Sequence, residues 1–111
     1  MSELTAKKCK PCEGGTKPLE GEDLERYRSQ VEGWSLVEGA EGNRLEKEYR
    51  FPDFAQALAF VNRLGEVAEA EGHHPDVFLA WGRVKVTLWT HSIGGLSEND
   101  FILAAKADAV L

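Results

Sequence analysis

One long stretch at helical spacing lies between two pairs of short strand-like segments, and this order limits the possible folds more than any other feature of the chain. Within residues 52–72, Phe54, Leu58, Val61, Leu64, Val67 and Ala68 form an apolar stripe of helical period. Pro52-Asp53 suits an opening turn, and Gly72 stands where a left-handed cap stops a helix. Before it, residues 34–37 and 44–51 read as strands around a turn at residues 39–42. In the second of these, Leu45, Tyr49 and Phe51 share one face with Lys47 as the exception, and Arg44, Glu46, Glu48 and Arg50 take the other. After the long helix, residues 77–81 and 84–90 form a second hairpin joined at Gly82-Arg83. A short helix over residues 19–31, closed by Gly33, precedes all of this. A last helix follows Ser97, which with Asp100 three residues on resembles a capping box. The expected fold is α+β: a four-stranded antiparallel sheet with three helices packed on one face, in the order α-β-β-α-β-β-α.

Residues 1–18 read as a flexible N-terminal arm, and residues 19–111 as one folded domain. A chain of 111 residues has little core to spare, so association with copies of itself would add stability. A formal net charge of -6 opposes a sequence-independent grip on nucleic-acid phosphates or on anionic lipid. No apolar run approaches the ~20 residues of a membrane helix, and the first ten residues lack the apolar segment of a secretory signal. Two cysteines, Cys9 and Cys12, build no disulfide framework, so a reducing cytoplasm is the default location. Cys9-x-x-Cys12 offers half of a zinc site without a second pair, and it lacks the strand–turn–helix setting of a redox motif. A flexible arm is its default reading, with metal shared between subunits left open.

All three histidines fall in the second half of the chain. His73-His74-Pro75 connects the long helix to the third strand, and His91 follows the fourth. In a hairpin the start of one strand lies beside the end of the other, so His91 is expected next to His73 and His74. Three readings compete for such a cluster. Surface loop histidines are the bland one. A three-histidine zinc site is the second, opposed by the adjacency of His73 and His74 and by the lack of His-x-His or His-x-x-x-His spacing. Metal-free acid–base chemistry is the third, because imidazole both gives and takes protons near neutral pH. Pro75 biases His74 towards an extended backbone, which either feeds the strand or pins the imidazole.

Glu69, His73-His74-Pro75, Trp81, Thr90-His91, Gly95-Leu96-Ser97 and Asp100 stand in an order and spacing that resembles the pterin-4a-carbinolamine dehydratases. Trp34 after a glycine and Phe51-Pro52-Asp53-Phe54 match as well, and the resemblance extends from about residue 19 to near the C-terminus. It implies the same α+β sandwich and a homo-oligomer, dimer or tetramer. The implied activity is that of a lyase dehydrating 4a-hydroxytetrahydropterin to quinonoid dihydropterin and water, in the recycling of tetrahydrobiopterin. No metal and no cofactor is implied. Some members of the family also bind a transcription factor, so a protein partner or a non-enzymatic assembly role is the alternative.

By position, the resemblance makes His73 and His91 the acid–base candidates and His74 the principal pterin contact. Glu69 either orients an imidazole or meets the pterin's amino group, unless it is a solvated helix-end carboxylate. Thr90 is a substrate donor or an ordinary strand residue. Trp34 and Trp81 either wall the pocket or are structural aromatics. Asp100 matches the pattern and also suits a helix cap. Some members carry an acidic residue before the histidine pair where this chain has Gly72, which leaves the tuning of the first imidazole to Glu69 or Glu71.

Overall fold

The long central helix starts where a side chain can satisfy its free amides. Asp53, extended at φ -158°, caps α2 (Phe54–Glu71) by accepting the Gln56 amide at 2.8 Å, and Pro52 lies just outside the helix. Gly72 ends it at φ +66°, the left-handed value expected of that glycine. The computed structural model describes residues 3–9, 17–40 and 42–111. The other elements are α1 (Gly21–Arg28), β1 (Ser35–Gly39), β2 (Gly42–Arg50), β3 (Asp76–Ala80), β4 (Arg83–Leu88) and α3 (Glu98–Ala109).

The strands form one antiparallel sheet in the order β1-β2-β4-β3, which confirms the two hairpins and the fold class. Its inner face carries Leu45 and Tyr49 from β2 and Val84, Val86 and Leu88 from β4, all buried. Helices α2 and α3 cover that face. The outer face carries charge, with Lys85 against Glu46 and Arg83 against Glu48. Lys47, the exception in the alternation, lies on the inner face because its ammonium reaches Asp108 of α3 at 2.8 Å.

The expected stripe of α2 holds in its second half, where Leu64 and Ala68 are buried and Val61 and Val67 pack against the core, and shifts in its first. Ala57, Phe60, Leu64 and Ala68 are its buried residues, whereas Phe54 and Leu58 are 43% and 40% exposed. The helix carries apolar residues on two adjoining arcs, and periodicity alone does not say which arc meets the sheet. Element ends also move. α1 stops at Arg28, and β4 stops at Leu88, after which Thr90 makes an isolated bridge with Gly95.

Part of the expected arm is packed. Residues 3–6 form one 3₁₀ turn, Leu4 is 1% exposed within the core, and the turn lies against α3. A flexible arm is therefore not what residues 3–9 form. Cys12 lies outside the described residues. α3 is consequently covered on both sides, and its residues from Asn99 to Ala105 are all buried. No helix among the described residues is long and apolar enough to cross a membrane.

Candidate active site

The end of α2, the start of β3, the exit from β4 and the start of α3 meet at one end of the sheet. β3 pairs with β4 from Asp76 opposite Thr87, so the His73–Pro75 segment and residues 88–91 leave the hairpin at the same end. The chain then turns sharply after Thr90. Thr90 and Gly95 exchange backbone hydrogen bonds at 2.8 and 3.4 Å around a short 3₁₀ turn, His91–Ile93. Gly42 backs this loop at φ +124°, where a Cβ would collide with the carbonyl oxygen of Gly94.

Asp100 is the centre of the arrangement. Its carboxylate is 0% exposed. One oxygen lies 2.6 Å from Nε2 of His73. The other accepts the Thr90 hydroxyl at 2.8 Å and the Ser97 amide at 2.9 Å, and this last bond is the carboxylate half of the expected capping box. The Ser97 hydroxyl lies 2.9 Å from that of Thr90, and both residues are buried. A buried carboxylate is tolerable only when donors saturate it. Oδ2 takes two donors, so Oδ1 is the oxygen left to meet His73, and that contact fixes the orientation of the ring.

The other two imidazoles are held differently. Nε2 of His74 lies 2.8 Å from Glu69, but the two side chains are 58% and 80% exposed. Such a surface pair orients the ring and contributes little stability. His91 is exposed, and its ring nitrogens bond no described residue. Its ring rests against Trp89, with centroids 3.7 Å apart and planes at 45°. The indole Nε1 donates to Asp76 at 3.4 Å, and the Arg44 guanidinium lies 4.0 Å from the indole ring. Pro75, half-buried, stands between His74 and Asp76. No group of three His, Cys, Asp or Glu side chains that could hold a metal ion occurs among the described residues.

Both tryptophans expected at the pocket lie elsewhere. Trp34 is buried and donates to Asp108 at 3.2 Å, about two turns along α3 from Asp100. Trp81 is 69% exposed beside the β3–β4 turn, at the opposite end of the hairpin. Apolar character gave both residues weight but no direction. Trp89, which does contact a histidine, was missed. Its signal was its place beside Thr90-His91, out of phase with Val84, Val86 and Leu88.

Glu71 takes no part in the histidine contacts. Its carboxylate accepts the Cys9 amide at 2.7 Å and the Lys106 ammonium at 3.0 Å. The Cys9 amide, helped by Lys106 and opposed by burial, holds the Glu71 carboxyl below its usual range. Burial first, and the Glu71 charge second, push the Cys9 thiol up to about 12. Near neutral pH it is a packed thiol and not a nucleophile. The carboxylate beside the first imidazole is thus Asp100, not Glu69 or Glu71.

Comparison with known proteins shows the family. The family model described as "Pterin 4 alpha carbinolamine dehydratase" matches residues 17–110. A relative from Rubrobacter xylanophilus, provisionally named a pterin-4-alpha-carbinolamine dehydratase, is 51% identical over 97% of this chain and 98% of its own. A Chlorobaculum tepidum protein of the same provisional name is 44% identical over the whole of both chains. Among solved structures, a transcriptional coactivator/pterin dehydratase from Brucella melitensis has a TM-score of 0.77 and 34% identity, over 85% of this chain and 98% of that one. A pterin dehydratase-like RuBisCO assembly factor of the alpha-carboxysome has a TM-score of 0.60 and 28% identity, over 70% and 88%. With nearly the whole folded chain matched and the relatives aligned end to end, the chain belongs to the pterin-4a-carbinolamine dehydratase family.

Proposed function

We propose that the protein catalyses the dehydration of 4a-hydroxytetrahydropterin to quinonoid dihydropterin and water, by histidine acid–base chemistry. The observation that carries this reading is the buried Asp100 carboxylate holding His73 at 2.6 Å and Thr90 at 2.8 Å. The reaction breaks one C–O bond at the hydroxylated ring carbon. The oxygen leaves with the bonding pair and must receive a proton. The lone pair of the adjacent ring nitrogen forms the new C=N bond, and the proton on that nitrogen must be removed. One proton is given and one taken, so a pair of imidazoles suffices, each worth about 10²–10⁴-fold. His73 and His91 fill these two roles, one as acid and the other as base. His74, oriented by Glu69, contacts the pterin; Thr90 and Pro75 shape the site around it. Fixing a planar ring in register adds to the rate. The same reading has the protein acting as a cytoplasmic homo-oligomer, dimer or tetramer, in tetrahydrobiopterin recycling.

The test is to add purified protein to freshly generated 4a-hydroxytetrahydropterin and follow the absorbance. Acceleration over buffer is expected, with its loss in a His73→Ala, His91→Ala double variant. No acceleration, or full activity in the double variant, overturns the reading. The alternative is a binding or assembly factor on the same fold, in line with the coactivator and assembly-factor names of two similar solved proteins. It predicts a stoichiometric protein partner and negligible turnover.

A further inference from the structure

Trp89 adds a second link between two parts of the site, beside the bridge that Asp100 makes from His73 to Thr90. Its Nε1 donates to Asp76, the residue immediately after His73-His74-Pro75, and its ring faces His91 at 3.7 Å. The indole is 9% exposed, and the Arg44 guanidinium also lies against it, 4.0 Å away. Trp89 therefore has little freedom to turn, while His91 is exposed on a short 3₁₀ turn with no hydrogen bond from its ring to a described residue. An exposed imidazole on such a turn samples several χ1 and χ2 states unless something packs against it. Two aromatic rings at this separation attract by offset contact. Arg44 and Asp76 come from different strands, β2 and β3, so the indole's position is fixed by the sheet rather than by the loop that carries His91.

We propose that Trp89 is the positioning residue for His91: the indole, held between Arg44 and Asp76, selects one orientation of the imidazole and sets its distance from the His73-His74-Pro75 segment. The catalytic consequence rests on the dehydratase reading above; the geometric claim does not. A positioning residue acts on the chemical step, so its loss lowers kcat. A residue touching substrate equally in ground and transition states changes KM instead.

Two measurements test this. The first is NMR of the wild-type chain, with the His91 ring signals assigned through His91→Gln. The ring protons are expected upfield of their free-histidine positions, with cross-relaxation to the Trp89 indole. Both signatures should vanish in Trp89→Leu and persist in Trp89→Phe, which keeps an aromatic face. Unshifted ring protons in the wild type overturn the proposal without any variant having to fold. The second is steady-state turnover of variants whose circular dichroism matches wild type. Trp89→Leu is expected to lower kcat at least roughly tenfold with KM little changed, and Trp89→Phe to recover most of it. Unchanged kcat, or a rise in KM alone, overturns the positioning role and leaves the dehydratase reading standing. A wild type without turnover overturns the dehydratase reading, and the NMR result then decides the ring contact by itself.

Discussion

Two aspartates on α3 each gather side chains from across the fold, and they do it with opposite chemistry. Asp100, in the first turn, collects a hydroxyl, a backbone amide and an imidazole. Asp108, about two turns later, collects the Lys47 ammonium at 2.8 Å, the Tyr49 hydroxyl at 2.5 Å and the Trp34 indole at 3.2 Å. Asp108 is partly exposed and has a permanent cation beside it. Asp100 is fully buried, and its only ionisable partner among the described residues is His73. The charge balance at Asp108 is fixed. At Asp100 it depends on whether an imidazole holds one proton or two. The second arrangement is costly in a core unless a proton has to come and go there. One end of α3 is thus paired with a fixed cation, and the other with an imidazole.

The largest effect should come from removing the carboxylate paired with the imidazole. Asp100→Asn keeps the shape but removes the charge and puts an NH2 donor in place of one acceptor oxygen, so His73 or Thr90 loses its acceptor. Turnover is expected to fall by about 10²–10⁴-fold, the usual range for losing one positioned acid–base group. The unfolding free energy should fall by about 1–3 kcal/mol, because buried donors lose their partner. Steady-state rates and urea unfolding measure the two. Asp108→Asn should share the stability loss, about 1–3 kcal/mol, but keep turnover within about twofold of wild type. If both variants lose activity alike, the distinction between the ends is wrong.

A third carboxylate sharpens the contrast. Glu71 has a lysine partner and should behave as Asp108 does. Its folded pKa is lowered, so its contribution is present above its unfolded value near 4.5 and is lost as pH falls through the folded value. Glu71→Gln should therefore flatten the acid side of the stability-against-pH curve and leave rates at neutral pH unaltered. The smallest effect is at Cys9. Its raised thiol contributes stability that is full below pH 9.0 and declines as pH rises towards about 12. Iodoacetamide labelling of Cys9, read by peptide mass spectrometry at pH 8, should be much slower than for free cysteine. Rapid labelling would mean that residues 3–9 leave α3 easily.

The order of elements, both hairpins, the Gly72 cap and the Ser97–Asp100 pairing were legible because each rests on local chemistry. The buried face of the first half of α2 was not, since Phe54 and Leu58 compete with Ala57 and Phe60 for the sheet, and only tertiary packing chooses. Asp100 was legible as a cap or as a site residue, and the structure shows one carboxylate bonding both the Ser97 amide and His73. The direction of a tryptophan was illegible. Trp34 and Trp81 carried the motif, whereas the indole beside His91 is Trp89, placed by strand parity and by Arg44 and Asp76 from other strands. The packing of residues 3–9 was hidden as well, because it depends on a single apolar side chain, Leu4, meeting a helix more than ninety positions away.

The contact between Gly42 and Gly94 has a consequence for inheritance of the site. Among the described residues, nothing in the turn before β2 touches an imidazole, yet any side chain at position 42 would push on the Gly94 carbonyl, in the loop that carries His91. A substitution about thirty positions from the nearest histidine in sequence would thus disturb the placing of an imidazole, and lineages that keep this loop have a reason to keep a bare backbone there.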